Sequence, residues 1–343
     1  MSDGVEQGLR VAVFGARSYD RHHLTKANAR HGHVLLFLDV GLDAATAPLA
    51  AGCGVVCAFV NDRLDAGVLQ ALAASGVRLI ALRCAGYNNV DLHAAERLGL
   101  PIVRVPAYSP HAVAEFTIGL LLTLVRRIHK AWARTREDNF SLDGLVGRNL
   151  QGRVAGVVGT GRIGALVART LRAGFGCQVL AADPIRDPEL EQIGVRYVPR
   201  EALLAESEII SLHCPLTPDT RHLIDAGMLA EARTGLVLVN TSRGALVDTV
   251  ALIGALKSGH LGGVALDVYE QEGDLFFRDL SGEIIQDDVF KRLLTFPNVL
   301  VTGHQAFLTE EALDAIAEQT LANVSALAAG RPLEHLVTSH MLR

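Results

Sequence analysis

The stretch VAGVVGTGRIG, from Val154 to Gly164, combines an apolar strand, a tight glycine turn and the start of a helix. Gly159 permits the turn, Gly161 lets a backbone approach a pyrophosphate closely, and Gly164 lets the helix pack against the strand. The first N–H groups of such a helix lack partners within the helix and can bind an anion. Since glycine turns are common, this stretch predicts a dinucleotide site only if an acidic residue ends the next strand.

The next strand-like run meets that condition. VLAADP ends in Asp183, where a carboxylate accepts hydrogen bonds from the adenosine ribose and repels a 2′-phosphate. Arg186, three residues later, is the feature that would favour a phosphate instead. We predict NAD as the cofactor, with NADP as the alternative.

Short apolar runs alternate with helix-period segments along nearly the whole chain, which predicts an α/β fold with parallel sheets covered by helices. The runs form two sets: RVAVFG, HVLLFLDV, VVCAFV, RLIALRC and PIVRV, then RVAGVVGT, CQVLAAD, EIISLHC, LVLVNTS, GGVALDV and NVLVTG. We therefore expect two doubly wound, Rossmann-like domains. Only the second set contains the glycine turn, so the first domain should supply substrate contacts, with the active site in a cleft between the domains.

Three other segments carry specific expectations. Apolar residues at helical spacing predict one long helix from about His111 to Asp138, which suits a bridge between domains. A second amphipathic helix, begun by Thr309 and ended by Gly330, could return to the first domain. The acid-rich stretch EGDLFFRDLSGEIIQDDVF, residues 272–290, is expected to be a solvated loop.

Composition excludes several classes of protein. The chain has 343 residues, 50% hydrophobic and 20% charged, with a formal net charge of −5, which is typical of globular domains and gives no basic surface for nucleic acid. The most apolar stretch, 116–125, is too short to span a membrane, which needs about 20 residues. The N-terminal ten residues contain no apolar signal segment, so we expect a cytoplasmic protein.

The cysteines give no sign of a metal or disulfide site. They form no CxxC pair, and most lie in apolar strand-like runs, as buried hydrophobic residues do. We expect free thiols and no metal at Cys53, Cys57, Cys84, Cys177 and Cys214.

Reactive side chains follow three strands of the second set. LVLVNTSRGALVD places Arg243 after its strand, GGVALDVYEQEGD places Asp267, Glu270 and Glu272, and VLVTGHQAF places His304. The carboxyl ends of parallel strands lie on the edge that binds ligands, so these side chains can meet. An arginine can bind a carboxylate or polarise a carbonyl, and a histidine beside a carboxylate can donate a proton. Together with NAD, they predict hydride transfer coupled to proton transfer.

The motifs GTGRIG, NTSRGALVD, ALDVYEQE, TGHQAFLTEEAL, ALRCAGYNNVDL and RVPAYSPHAVAEF closely resemble the D-isomer-specific 2-hydroxyacid dehydrogenase family over almost the whole chain. The resemblance is strongest to its NAD-dependent members that interconvert pyruvate and D-lactate. It implies a discontinuous substrate domain, residues 1–106 with 305–343, around an NAD-binding domain, residues 107–304. It also implies that Arg243, Glu272 and His304 are the catalytic residues, with His304 as acid and base.

The resemblance also implies the residues that bind substrate and cofactor. Substrate contacts are expected at Phe59, at the backbone of Ala85 and Gly86, at Tyr108 and at Phe307; for Phe59 a plain core role is an equal alternative. Besides Gly159, Gly161, Gly164 and Asp183, cofactor contacts are expected at Arg162, Ile163, Cys214, Pro215, Thr220, Thr241, Ser242 and Asp267.

Two departures from the family pattern and several alternatives remain. Close relatives often carry histidine where this chain has Phe116, and the helix after the glycine turn is one residue longer, through LRAGFG.

The substrate could instead be hydroxypyruvate, glyoxylate or a bulkier 2-keto acid, or the chain could be an NAD-binding corepressor. The resemblance favours a homo-oligomer, a dimer or tetramer, with the helix from His111 as a plausible interface.

Overall fold

The structure, a computed structural model, describes residues 8–342 and divides into two compact units. The first unit extends to Ser109 and resumes at Leu308, and the second comprises Pro110–Phe307. Both boundaries between the units lie three residues later in the chain than residues 106 and 304, where the sequence analysis placed them. The reason at the second boundary is local, because the N–H groups of Gln305 and Ala306 are bonded to Asp267 of the second unit.

Helices and strands alternate as expected. Within the described residues the strands are β1 (Arg10–Val13), β2 (Val34–Phe37), β3 (Val55–Ala58), β4 (Leu79–Leu82), β5 (Ile102–Val103), β6 (Val154–Val158), β7 (Gln178–Ala182), β8 (Arg196–Tyr197), β9 (Ile209–Leu212), β10 (Leu236–Asn240), β11 (Leu261–Leu266) and β12 (Val299–Val301). The helices are α1 (Ser18–Asn28), α2 (Ala66–Ala74), α3 (Leu92–Leu98), α4 (Pro110–Val125), α5 (Ile128–Thr135), α6 (Arg162–Arg169), α7 (Pro188–Gln192), α8 (Arg200–Glu206), α9 (Ala226–Glu231), α10 (Thr249–Lys257), α11 (Asp288–Leu294) and α12 (Glu310–Ala328).

The first unit contains a five-stranded parallel sheet in the order β2-β1-β3-β4-β5. All residues of β3 and β4 are buried, as expected for strands covered on both faces. The C-terminal helix α12 returns to this unit, where Leu321 and Val324 join the core. Along the seam between α1 and α12, Asp314 accepts hydrogen bonds from Lys26 and His23 at 2.7 and 2.6 Å.

The second unit contains a seven-stranded parallel sheet in the order β12-β11-β10-β9-β6-β7-β8. The two parallel sheets confirm the predicted α/β class. The chain runs from β6 outward to β8 and then returns to β9 on the other side of β6. The strand order therefore reverses between β6 and β9, which is where doubly wound sheets bind their ligands.

The prediction of one long helix from His111 to Asp138 was wrong. The chain forms α4 and α5, separated at Arg127, whose φ is +54°. Gly147 packs against the carbonyl of Val125, and Arg148 donates its N–H to that carbonyl at 3.2 Å, so a later segment closes the end of α4. Helix α4 is buried within the second unit and is not a bridge, whereas α5 has no buried residue.

The prediction that residues 272–290 form a solvated loop was also wrong in part. Phe276 and Phe290 are buried with Tyr269 in a small aromatic cluster. The Tyr269 hydroxyl donates to Asp287 at 2.7 Å, and Asp287 also caps α11 by accepting the N–H of Phe290 at 2.8 Å. The aromatic side chains and the hydrogen bonds of Asp287 thus pack this stretch against the rest of the second unit.

No helix among the described residues is both long and apolar enough to cross a membrane. None of the five cysteines forms a disulfide bond, and four of them are buried.

Candidate active site

Two glycines of the turn between β6 and α6 are required by the fold itself. Gly159 has φ of +88°, and a side chain there would begin 2.7 Å from the backbone nitrogen of Cys214. A side chain at Gly164 would collide with the carbonyl oxygen of Gly159. The turn can therefore lie against the end of β9 only with glycine at both positions.

Gly161 is different, because nothing in the described chain demands glycine there. It precedes α6 with φ of −64°, and a Cβ at this position would meet no atom within 4 Å. A side chain would instead occupy the space in front of the helix N-terminus. The turn therefore fits a group that approaches from outside the chain, such as the pyrophosphate of a dinucleotide.

Asp183 lies at the end of β7, next to the turn. Its two carboxylate oxygens accept the N–H groups of Thr160 at 2.6 Å and Ile185 at 2.8 Å. An ionised carboxylate has about four acceptor sites, so each oxygen can still accept a ribose hydroxyl. Arg186 is directed to other partners, because its guanidinium lies 3.7 Å from Glu191 and over the ring of Tyr197.

The loops after β9 and β10 are joined at the same edge of the sheet. Ser242 Oγ donates to the carbonyl of Cys214 at 2.8 Å, and burial raises the pKa of the Cys214 thiol to about 11, so the thiol stays neutral. The Pro215 carbonyl accepts the Thr220 hydroxyl at 2.7 Å, and the Thr241 hydroxyl lies 2.7 Å from that of Thr117. Of the two residues expected at the start of α6, Arg162 is exposed and Ile163 is half-buried.

The sequence analysis did not single out His213, which follows β9 beside the glycine turn. A Cβ at Gly164 would lie 3.1 Å from the His213 Cβ, and the imidazole Nε2 lies 2.7 Å from the Ser211 hydroxyl. Burial lowers the pKa of His213 to about 4, so this ring is neutral at physiological pH. Its position at the carboxyl end of a strand next to the glycine turn was the available signal.

His304 and Glu272 form a close pair. The imidazole Nδ1–H donates to Glu272 Oε1 at 2.8 Å, and Glu272 Oε2 accepts the N–H of Tyr269 at 3.0 Å. The His304 and Glu272 side chains are 16% and 21% exposed, so solvent screens their attraction only partly. The second imidazole nitrogen, Nε2, has no hydrogen-bond partner among residues 8–342 and remains available to a substrate.

Asp267 holds the turn that carries His304. Its buried carboxylate accepts the Thr302 hydroxyl at 2.6 Å and the N–H groups of Gln305 and Ala306 at 2.9 and 2.8 Å. Its carbonyl accepts the N–H of His304 at 2.7 Å. Burial raises the pKa of Asp267, and the three donors oppose that rise. Asp267 therefore has a structural role in this turn, and the cofactor contact expected at this residue stays a prediction.

Arg243 enters the site on a loop that touches the segment carrying Glu272. The residue after it, Gly244, packs so closely on the peptide between Tyr269 and Glu270 that a Cβ would collide with that backbone. The Arg243 guanidinium is half-buried and donates to the Ser242 carbonyl at 2.7 Å. An arginine has five N–H donors, so most of the fork remains for a substrate.

Glu270, the other acid after β11, does not pair with His304. It accepts hydrogen bonds from His222 Nε2 at 2.6 Å and Arg221 at 3.2 Å. The structure thus separates two carboxylates that the residue pattern alone could not distinguish.

The substrate residues predicted in the first unit lie on neighbouring loops. Phe59 is buried, its N–H donates to Asp62 at 2.6 Å, and the buried Arg83 lies 4.9 Å from the centre of its ring. The backbone N–H groups of Ala85 and Gly86 make no hydrogen bond to another described residue. Two adjacent N–H groups without partners can bind a carboxylate. Tyr108 is half-buried and lies one residue before the chain leaves the first unit after Ser109.

Phe307 and the two family departures lie in the second unit. Phe307 is buried at its end, three residues after His304. Phe116 packs against the core of the unit, as expected. The helix that follows the glycine turn continues as a π-helical turn, Thr170–Gly174, directly after α6, and the one-residue lengthening of this helix stays a prediction.

Known proteins resemble this chain over most of its length. Residues 118–306 match the family model described as D-isomer specific 2-hydroxyacid dehydrogenase, NAD binding domain. A 2-hydroxyacid dehydrogenase homolog from Haemophilus influenzae is 53% identical over 329 residues, covering 96% of this chain and 99% of the relative. The D-lactate dehydrogenase of Escherichia coli is 52% identical over 322 residues, covering 94% and 98%.

Among solved structures, one described as identifying the pyruvate reductase of Chlamydomonas reinhardtii superposes with a TM-score of 0.91 at 45% identity, covering 96% of this chain and 98% of that one. The match over 118–306 contains the glycine turn, Asp183, Arg243, Glu272 and His304, so the predicted family and its cofactor NAD are confirmed. The chain belongs to the D-isomer specific 2-hydroxyacid dehydrogenase family.

Proposed function

We propose that this enzyme reduces pyruvate to D-lactate with NADH, reversibly, and that His304 is its proton donor and acceptor. The observation that carries the proposal is the His304–Glu272 pair, in which Nδ1 is bound at 2.8 Å and Nε2 is left without a partner among the described residues. Relatives of similar length named D-lactate dehydrogenase and pyruvate reductase support pyruvate as the substrate.

In the proposed reaction each side chain has one task. Bound NADH would supply the hydride that the keto carbon accepts. His304 gives the Nε2 proton to the keto oxygen, while the carboxylate of Glu272 stabilises the charged imidazolium before the transfer. In the reverse direction the neutral imidazole removes the hydroxyl proton of D-lactate.

Arg243 is proposed to bind the substrate carboxylate and polarise the keto group, because its planar guanidinium can donate two parallel hydrogen bonds. The N–H groups of Ala85 and Gly86 are proposed to bind the same carboxylate. Aromatic side chains at Phe59, Tyr108 and Phe307 are proposed to limit the space around the substrate methyl group.

We also propose that the enzyme is a homo-oligomer, a dimer or tetramer, that acts in the cytoplasm in fermentation. Five cysteines without a disulfide bond support a reducing compartment. The segment from α5 onward exposes apolar side chains that would be covered in an oligomer: Trp132, Phe140, Leu142 and Val146 are 63%, 72%, 78% and 85% exposed. Light scattering of the purified protein would give the oligomeric state.

The function is tested by measuring NADH oxidation with a panel of 2-keto acids and determining the chirality of the product. We expect the highest kcat/KM with pyruvate and D-lactate as the product. A higher kcat/KM with hydroxypyruvate, glyoxylate or a bulkier keto acid would assign a different substrate, and no turnover with any keto acid would exclude the proposed reaction.

A further inference from the structure

One short segment supplies two contacts to the imidazole of His304. Glu272 Oε1 binds Nδ1 at 2.8 Å, and the ring of Phe277 lies 5.6 Å from the imidazole, centre to centre, with an angle of 42° between the planes. The Glu272 carbonyl accepts the N–H groups of Leu275 and Phe276 at 3.0 and 2.8 Å, so the chain turns tightly between the two contacts. Residues 272–277 therefore reach both a nitrogen and the ring system of the imidazole.

Phe277 is held in this position by its surroundings. The preceding residue, Phe276, is buried, with its ring 5.9 Å from that of Phe290, which in turn lies 5.0 Å from Tyr269. Phe277 itself has φ of +64°, a backbone conformation that residues other than glycine rarely adopt. Such conformations persist where the surrounding structure enforces them, often at functional sites. Here the anchored neighbour and the left-handed backbone together bring the Phe277 ring to His304.

We propose that Phe277 is a positioning residue for proton transfer. Its ring restricts the plane of the imidazole, so that Nδ1 stays on Glu272 and Nε2 stays available to the substrate. By keeping that charge-assisted hydrogen bond in place, the ring supports the form of His304 that donates a proton. The proposal rests on the proposed function, in which His304 donates a proton.

The other charged groups near His304 would be unchanged by a substitution at Phe277. Glu272 binds Nδ1 directly, and the buried Asp267 interacts with the imidazole electrostatically. The phenyl ring of Phe277 has no hydrogen-bonding group, so its replacement by leucine removes no side-chain hydrogen bond from either carboxylate. A change at His304 that occurs when the ring is removed and not when it is kept is therefore assigned to the ring.

The test compares Phe277→Leu, which removes the aromatic ring, with Phe277→Tyr, which keeps it. Titration of His304 is followed by NMR of protein carrying ¹³C-labelled histidine, with the signal assigned by its loss in His304→Gln. Because the hydrogen bond to Glu272 loosens without the ring, we expect a lower titration midpoint in the Leu variant than in the native protein, and the native midpoint in the Tyr variant. With pyruvate, kcat should fall several-fold in the Leu variant, with NADH affinity unchanged.

A native titration midpoint in Phe277→Leu, or a Tyr variant that behaves like the Leu variant, would overturn the proposal. Phe277→Met is a second aliphatic replacement, and loss of folding in both aliphatic variants would show a structural role only. The NMR measurement needs no substrate, so it separates the two claims. If His304 shifts as expected but the native enzyme does not reduce pyruvate, the positioning role stands and the proposed function fails.

Discussion

Asp267 fixes the backbone at His304 through three hydrogen bonds. Its carbonyl accepts the N–H of His304 at 2.7 Å, and its carboxylate accepts the N–H groups of Gln305 and Ala306. His304 has φ of +55°, in the left-handed region that favours glycine. The hydrogen bonds to Asp267 therefore hold an unfavourable backbone conformation that places the imidazole next to Glu272.

Asp267→Asn should loosen this turn, because the amide NH₂ group would face backbone N–H groups that need an acceptor. We expect the free energy of unfolding to fall by about 1–3 kcal/mol, the usual cost of an unsatisfied buried polar group. We also expect kcat/KM for pyruvate to fall more than the affinity for NADH, because the turn positions His304. Chemical unfolding and NADH titration measure the two effects, and native kcat/KM in this variant would show that the turn does not depend on Asp267.

Gly161→Ala and Gly164→Ala should separate binding from stability at the glycine turn. A Cβ at Gly161 meets open space, so the Ala variant should fold normally but bind NADH at least about tenfold more weakly, a loss of about 1.4 kcal/mol. A Cβ at Gly164 collides with the Gly159 carbonyl, so that variant should lose about 1–3 kcal/mol of stability. Native NADH affinity in Gly161→Ala would mean that the pyrophosphate does not lie at this turn.

Asp183 should enforce NADH over NADPH. A carboxylate close to a 2′-phosphate costs on the order of 2 kcal/mol or more, which corresponds to roughly 30-fold in kcat/KM. Asp183→Ser should reduce the ratio of kcat/KM with NADH to kcat/KM with NADPH, mainly by raising kcat/KM with NADPH. Arg186→Ala is the matched control and should leave the ratio unchanged, because Arg186 is directed to Glu191 and Tyr197. Equal use of both cofactors by the native enzyme would rule out this role for Asp183.

The sequence allowed the sheets to be predicted because most of their central strands are buried on both faces and form continuous apolar runs. β8 was missed, since Arg196 and Tyr197 form only a two-residue edge strand. The break between α4 and α5 was missed because it depends on Gly147 and Arg148, which pack on Val125 from a later part of the chain. Periodicity within one segment carries no information about such contacts.

The site could be predicted as a set of side chains at strand ends, but not as specific pairs. Glu270 and Glu272 are two residues apart, and the residue pattern gave no reason to choose between them. The choice depends on His222, far earlier in the chain, which binds Glu270 at 2.6 Å. Phe277 was overlooked for a similar reason, because an acid-rich stretch suggested a solvated loop and its aromatic anchor is a tertiary contact.

His213 should make the protein less stable as the pH falls from about 6.5 to about 4. In that range the unfolded chain binds a proton at His213 that the folded chain excludes, because burial lowers the folded pKa to about 4. The loss is at most about 3 kcal/mol across the range. His213→Gln should flatten this dependence, whereas His93→Gln, at an exposed position, should not. Chemical unfolding at several pH values measures it, and identical slopes in native protein and His213→Gln would refute it.

The central claim is that Glu272 stabilises the protonated imidazole of His304. It is tested most directly by the pH dependence of kcat/KM in the Glu272→Gln variant, measured in both reaction directions. The substitution removes the charge but keeps the shape, so the imidazolium loses its ionised hydrogen-bond partner. We expect the alkaline limb of kcat/KM for pyruvate reduction and the acidic limb for D-lactate oxidation both to move to lower pH. Glu270→Gln, which removes a carboxylate bound to His222, should leave both limbs in place. Unchanged limbs in Glu272→Gln, or equal shifts in both variants, would contradict the account.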